Sequence, residues 1–290
     1  MAITAAQVKE LRERTGVGMM ECKKALTETD GDMDAAIELL RKSGAAKADK
    51  KAGRTAAEGL VAIRISDDNK TAAVVEVNCE TDFAAKDDNF SGFVDKLANH
   101  ILATRPADMD ALMASEMDGE TVEAALKNLI AKVGENMNIR RFEIIDGKGS
   151  FSSYMHGTRI GVLVDLEGGD DTLGKDIAMH VAASRPICVS EDQVPQEAIN
   201  KEKEIFAAQA QESGKPADII EKMITGRINK FLKEITLLGQ PFVKDPDQTV
   251  EKLLKAADAS VAAFIRYEVG EGIEKKKENF AEEVAAQMKG

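Results

Sequence analysis

The chain has no tryptophan, two tyrosines and 4% aromatic residues overall, while alanine, methionine and charged residues are plentiful. A core poor in aromatics and rich in alanine favours helices with modest sheets. Cysteine is scarce too: Cys22, Cys79 and Cys188 are odd in number and widely spaced, with no CxxC pair and no clustered histidine. That signals neither a disulfide framework nor a zinc site, and it fits a reducing cytoplasm. No apolar run approaches the 18 or so residues of a membrane span, and the N-terminus has neither a signal core nor an Arg-rich, acid-poor transit segment. Positive charge is also short. The formal net charge of −12 argues against broad phosphate-backbone binding, although a local basic patch stays open.

At 290 residues the chain has room for two or three domains. An internal repeat organises them. Leu97-Ala98-Asn99-His100-Ile101-Leu102-Ala103-Thr104-Arg105-Pro106 recurs 80 positions later as Ile177-Ala178-Met179-His180-Val181-Ala182-Ala183-Ser184-Arg185-Pro186, the signature of a repeated helix end. Upstream, the strand pattern Thr71–Glu80 matches Thr158–Glu167 at an offset of 87. The first copy therefore carries seven extra residues after Glu80, and they fall where Thr81-Asp82-Phe83 sits, within the stretch Cys79-Glu80-Thr81-Asp82-Phe83-Ala84-Ala85-Lys86-Asp87. A segment that the shared strand-helix unit does not need is a candidate for function. This stretch reads as a polar-apolar loop following a strand.

Taken in order, residues 1–53 read as three helices. Ala5, Val8 and Leu11 face inward on the first, Cys22, Ala25 and Leu26 on the second, and Met33, Ala36, Ile37 and Leu40 on a third that ends near Ser43-Gly44. Met19 and Met20 follow the Gly16-Val17-Gly18 break. Adjacent helical residues point about 100° apart, so at least one of the two lies near the surface. Lys47–Arg54 reads as a solvated helical tail and linker. From Gly59 the pattern turns to a hairpin over Leu60–Ile65 and Ala73–Val77, then helices over Phe90–Thr104 and Val122–Val133. A second half opens with strands at Ile139–Ile145, Ser150–Met155 and Arg159–Leu166, followed by the repeated helix. Pro195–Thr236 reads as an antiparallel helical hairpin with Ile199, Phe206, Ala210, Ile220, Ile224, Phe231 and Ile235 in a narrow apolar stripe and a turn at Ser213–Pro216. Gly239-Gln240-Pro241-Phe242-Val243, a helix bearing Val250, Leu253 and Leu254, a strand at Val261–Val269 and a last helix at Ile273–Met288 complete the chain.

Enzyme chemistry finds no foothold. Gly169-Asp170-Asp171-Thr172-Leu173-Gly174-Lys175-Asp176 fits G-x-x-x-x-G-K, but Asp176 stands where a phosphate loop needs Ser or Thr, and Asp170 and Asp171 would repel phosphate. It reads as an acidic turn opening a helix. His100 and His180 share a place in the repeat and so a packing role. His156 is either a surface contact or a core polar group.

Thr81-Asp82-Phe83-Ala84-Ala85-Lys86 and Leu11–Leu26 (Leu-Arg-Glu-Arg-Thr-Gly-Val-Gly-Met-Met-Glu-Cys-Lys-Lys-Ala-Leu) resemble the bacterial elongation factor Ts family. So do His156-Gly157-Thr158-Arg159-Ile160-Gly161-Val162-Leu163, Gly239–Val243 and Val269-Gly270-Glu271-Gly272-Ile273-Glu274, in the family's order along nearly the whole chain. The resemblance implies an α+β fold: a three-helix ubiquitin-associated-like N-terminal unit with its linker (1–54) and a pseudo-symmetric two-part core. The core would be an N-subdomain carrying the Thr-Asp-Phe loop (55–138) and a C-subdomain (139–268) with the hairpin inserted at 195–236, followed by a C-terminal helical module (269–290).

Guanine-nucleotide exchange on elongation factor Tu is the implied function, with both the GDP-bound and nucleotide-free partner engaged. The family accelerates GDP release by disturbing the partner's magnesium and phosphate site and makes no covalent bond, so neither catalytic residues nor cofactors nor metals of its own are expected, and neither membrane nor direct nucleic-acid contact. On matching positions, Phe83 is the wedge, Asp82 the polar contact that directs it and Thr81 a loop-shaping hydroxyl. Val17, Met19, Met20 and His156 are further partner contacts. Ala84 departs from the family's usual valine. Beneath Phe83 the smaller residue would support the wedge less, and facing solvent it would change nothing; a small effect is expected. The N-terminal unit alone would fit a ubiquitin- or nucleic-acid-associated adaptor, and the failed phosphate loop a nucleotide hydrolase, but the resemblance runs far past either.

Overall fold

A computed structural model describes residues 3–211 and 216–274. The chain mixes helices and strands in the α+β manner and divides into two compact units of non-contiguous segments. Of the described residues, the first comprises 3–62, 75–142 and 269–274, and the second 63–74, 143–211 and 216–268.

In the first unit, α1 (Ala5–Thr15), α2 (Met19–Glu28) and α3 (Met33–Lys51) pack around Val8, Leu11, Cys22, Ala25, Leu26, Ala36 and Leu40. Thr4 and Gln7 form a reciprocal capping box at the start of α1, and Gly16 closes it in the left-handed region at φ 68°, as a helix-stop glycine should. Ala5 is exposed, and Ile3 packs against this core in its place. The expected end of the third helix at Gly44 is corrected: α3 runs on to Lys51. A Cβ on Gly44 would stand 3.0 Å from the Ala131 side chain. The glycine is there to let two helices approach closely, a packing use that sequence cannot distinguish from a stop.

β1 (Glu58–Ile65) and β2 (Thr71–Cys79) form a hairpin, followed by α4 (Asp82–Ala85), α5 (Asp88–Thr104), α6 (Met109–Ala114), the two-residue strands β3 (Glu116–Met117) and β4 (Glu120–Thr121), and α7 (Val122–Val133). β5 (Met137–Asp146) joins this first sheet in the order β1-β2-β5. Sequence reading puts that strand at the head of the second half; pairing puts it beside β2. β2 is therefore a central strand, and eight of its nine residues are buried.

β6 (Ser150–His156), β7 (Ile160–Glu167), α8 (Asp171–Ser184), α9 (Gln196–Gln211), α10 (Ala217–Ile235), β8 (Pro241–Phe242), β9 (Asp245–Thr249), α11 (Val250–Ala256) and β10 (Ser260–Glu268) follow. Their sheet runs β10-β7-β6. The repeat is visible in backbone geometry: α5 ends at Arg105 (φ 50°, ψ 56°) and α8 at Arg185 (φ 51°, ψ 51°), both left-handed. Such a cap is uncommon for a non-glycine residue, and each is followed by proline. Between them, α9 and α10 pack along Ile199, Phe206, Ile224, Phe231 and Ile235 as expected, with Ile228 and Leu232 fully inside. Residues 213–215 of the expected turn and 275–288 of the expected last helix lie outside the described residues.

His180 is fully buried and shows what the Gly239–Val243 segment does. Its Nε2 donates to Gln240 Oε1 at 2.9 Å, its Nδ1 accepts from the Val243 amide at 3.1 Å, and its ring lies 5.9 Å from that of Phe242. Burial lowers its pKa against the opposing pull of Gln240, so the ring is neutral and serves as a two-sided structural bridge. His100, by contrast, is half-buried and pairs with Ser115 Oγ at 2.7 Å.

Candidate functional site

Seven residues, Thr81–Asp87, separate Glu80 from α5, whereas Gly168–Asp170 alone separate the matching Glu167 from α8. The longer connection is not the loop that its composition predicts. It folds into the single turn α4, because Thr81 adopts an extended conformation and caps it, its hydroxyl accepting from the Ala84 amide at 3.2 Å. A capping side chain satisfies an amide that a helix start leaves without a partner.

That turn presents its side chains in two directions. Ala84 points inward and is 3% exposed, whereas Phe83 is 80% exposed. The position where the resemblance would put valine is thus a buried one. A large aromatic side chain held in water is the informative observation in a protein whose other large residues are mostly covered. Beside it, Asp82 Oδ2 accepts from Lys86 Nζ at 2.7 Å, and the same ammonium stands 6.0 Å from the Phe83 ring centroid. The hydrogen bond from Lys86 holds the Asp82 carboxyl below its ordinary pKa, so it is an anion at neutral pH. The turn offers a partner one ring and one carboxylate, side by side.

Its base is anchored by a residue that sequence reasoning misses. Glu135 accepts from the Thr81 amide through Oε2 at 3.0 Å and from the Thr81 hydroxyl through Oε1 at 2.6 Å. Glu80 returns the gesture, accepting from the Asn136 amide at 2.6 Å, and Asn136 Nδ2 donates to the Arg54 carbonyl at 2.6 Å. Below them Cys79 is buried, its thiol donating to the Thr81 carbonyl at 3.2 Å. Burial, reinforced by the charge of Glu135, pushes that thiol up to about 12, so it is an inert packing group rather than a nucleophile.

Among the other expected site residues, Met19 and Met20 are both exposed, at 49% and 79%. Neither is core, so the start of α2, after the turn at Gly16–Gly18, presents two adaptable apolar side chains. Val17 differs: it is half-buried and packs against the three-helix core. Thr81–Ala84, Val17, Met19 and Met20 all belong to the first unit, and His156 to the second. His156 is exposed at the end of β6, with its Nδ1 3.2 Å from the Tyr154 hydroxyl. The core alternative for this histidine is therefore ruled out.

Two residues of the phosphate-loop look-alike have structural roles. Asp170 spends its side chain capping α8, accepting from the Leu173 amide at 2.8 Å. Gly174 lies within α8, where a Cβ would collide with Ser152 Oγ, so it serves helix-strand packing. Among the described residues no group of three or more His, Cys, Asp and Glu side chains is placed to hold a metal ion, and no helix is long and apolar enough to cross a membrane.

The sequence profile of Elongation factor TS matches residues 80–271, a span that begins at the base of the exposed turn and ends where β10 leaves its sheet. Relatives match end to end. An Elongation factor Ts of Thioalkalivibrio sulfidiphilus is 68% identical over 292 residues, with 100% of both chains covered. One of Methylococcus capsulatus is 65% identical over 291 residues, covering 100% of this chain and 99% of its own. A third, of Alkalilimnicola ehrlichii, is 61% identical over 291 residues with both chains covered completely. Identity of this extent across the full length carries fold and broad role together, and the chain belongs to the elongation factor Ts family, whose place is the elongation stage of protein biosynthesis.

Proposed function

We propose that this protein is a guanine-nucleotide exchange factor that binds elongation factor Tu in its GDP-bound form, disturbs the magnesium and phosphate site, and promotes GDP release in the cytoplasm. The observation that carries the reading is Phe83, 80% exposed on a braced turn with an anionic carboxylate next to it. Magnesium and phosphate contacts supply most of a GTPase's hold on its nucleotide, and those contacts tolerate little displacement. A ring that enters between partner helices, with Asp82 directing it, displaces them.

No bond is made or broken by this chain in that account. Exchange is linkage: a factor that binds the nucleotide-free partner more tightly than the GDP-bound one weakens GDP binding by the same ratio. Val17, Met19 and Met20 add a repackable apolar contact from the N-terminal unit, and His156 supplies a further contact. The finer architecture belongs to the same proposal: a ubiquitin-associated-like unit over 1–54, core subdomains over 55–138 and 139–268 related by pseudo-symmetry, a hairpin over 195–236 and a C-terminal module over 269–290.

A stopped-flow experiment tests the reading. Elongation factor Tu loaded with a fluorescent GDP, mixed with excess unlabelled GDP, should lose fluorescence faster in proportion to added protein until it saturates. An unchanged release rate at saturating protein would remove the proposal.

A further inference from the structure

We infer that Glu135 is the positioning residue of this exchange tip: by holding Thr81 through both carboxylate oxygens it fixes the direction in which Phe83 points. The inference rests on the exchange reading above and extends it to a residue 54 positions from Thr81 in the chain.

A four-residue turn has no stability of its own, because helix nucleation is unfavourable before several hydrogen bonds are in place. Phe83 cannot supply the missing order, since its ring is 80% exposed. The order comes from the buried Ala84 and from Thr81, every polar atom of which is engaged. Its amide and hydroxyl donate to Glu135 Oε2 and Oε1 at 3.0 and 2.6 Å, its hydroxyl accepts from the Ala84 amide at 3.2 Å, and its carbonyl accepts from the Ala85 amide and the Cys79 thiol, each at 3.2 Å. The bond from the Thr81 hydroxyl to the Glu135 carboxylate is short, in the range of a charge-assisted hydrogen bond, and the amide bond beside it has ordinary length.

Glu135 is itself fixed. Gly134 turns the chain out of α7 in the left-handed region at φ 90°, and Asn136 is tied by its amide to Glu80 and by its side chain to the Arg54 carbonyl. Each of two neighbouring segments thus contributes a carboxylate to an amide of the other. Phe83 lies two residues beyond this clasp, so a shift at Thr81 moves the ring with it, and misplacement of about 1 Å costs rates by as much as ~100-fold.

Two readouts test it. Glu135→Ala should speed amide hydrogen exchange at Thr81, Ala84 and Ala85 and lower the saturating rate of GDP release by about tenfold, with the concentration for half-saturation changed by less than about threefold. Glu135→Gln should recover to within about threefold of wild type, because an amide oxygen accepts from the Thr81 amide while its NH2 donates to the hydroxyl, which accepts as well as donates. In a Phe83→Ala background, Glu135→Ala should add no further loss, since there is then no ring left to aim. An unchanged saturating rate in Glu135→Ala, or an equal loss with and without Phe83, overturns the inference. A wild-type protein that does not speed GDP release overturns the exchange reading and with it the consequence drawn for Glu135, and amide exchange separates that failure from the loss of the clasp itself.

Discussion

Phe83→Ala is expected to lower the saturating rate of GDP release from elongation factor Tu by about 100-fold, with the melting temperature within about 2 °C of wild type. The two halves of this result have separate causes. The ring is 80% exposed, so removing it deletes almost no folding contact, and surface substitutions of this kind change stability by about 0.5 kcal/mol or less. In the complex the same ring would be desolvated at the centre of a partner contact, where truncating an aromatic anchor costs on the order of 2–4 kcal/mol. If Phe83 were instead a cap over its own core, the order would invert: the variant would melt early and still release GDP. Stopped-flow release and a melting curve on one preparation distinguish the two.

Glu76→Ala is expected to produce the opposite pattern, a loss of about 3–5 kcal/mol of stability. Glu76 lies in the central strand β2 with its side chain fully buried. Its carboxylate accepts from Arg140 Nη1 at 3.0 Å, Arg141 Nε at 2.7 Å, Asn78 Nδ2 at 3.0 Å and the Gly270 amide at 2.8 Å. Arg140 also donates to the Glu271 carbonyl, and Arg141 lies 3.6 Å from the Glu271 carboxylate. Removing one acid therefore strips two guanidinium groups of a buried counter-charge and detaches the chain where it leaves β10. Gly270 has no slack to absorb this: at φ +73°, a Cβ there would collide with the Ala57 carbonyl.

Burial pushes the Glu76 carboxyl up, but the hydrogen bonds from Gly270, Asn78, Arg140 and Arg141 outweigh it and leave the pKa below its ordinary 4.5. A carboxyl with a depressed folded-state pKa contributes stability that is complete above the unfolded value and is lost as pH falls through the folded value. The stability gap between wild type and Glu76→Gln, read from urea midpoints, should accordingly be constant above about pH 5.5 and narrow below about pH 4.5. A gap that stays constant down to pH 3 would contradict the role given to the ionised carboxylate.

These residues also mark how far sequence alone reaches. Phe83 is visible from it, because seven residues inserted into one copy of a repeat announce themselves without any structure. The matching caps at Arg105 and Arg185 are equally legible, since both carry the same Ala, His, Arg and Pro. Glu135 is not: its partner is 54 positions away, and Gly134-Glu135-Asn136 reads locally as any polar helix exit. Glu76 is a lone acid in an apolar strand, and only the pairing of β5 beside β2 brings Arg140 and Arg141 to it. Gly44 misleads because a glycine that admits a neighbouring helix and a glycine that ends one are the same letter. α6, β3 and β4 are too short for any periodicity to show.

The central claim is that exchange here is differential binding to two states of one partner, and a single titration tests it most directly. The affinity of this protein for elongation factor Tu is measured twice, nucleotide-free and saturated with GDP and magnesium. The account predicts tighter binding to the nucleotide-free form, by the same factor by which saturating protein weakens GDP binding. Equal affinity for the two forms would contradict it, because a ligand that does not distinguish two states cannot shift the balance between them.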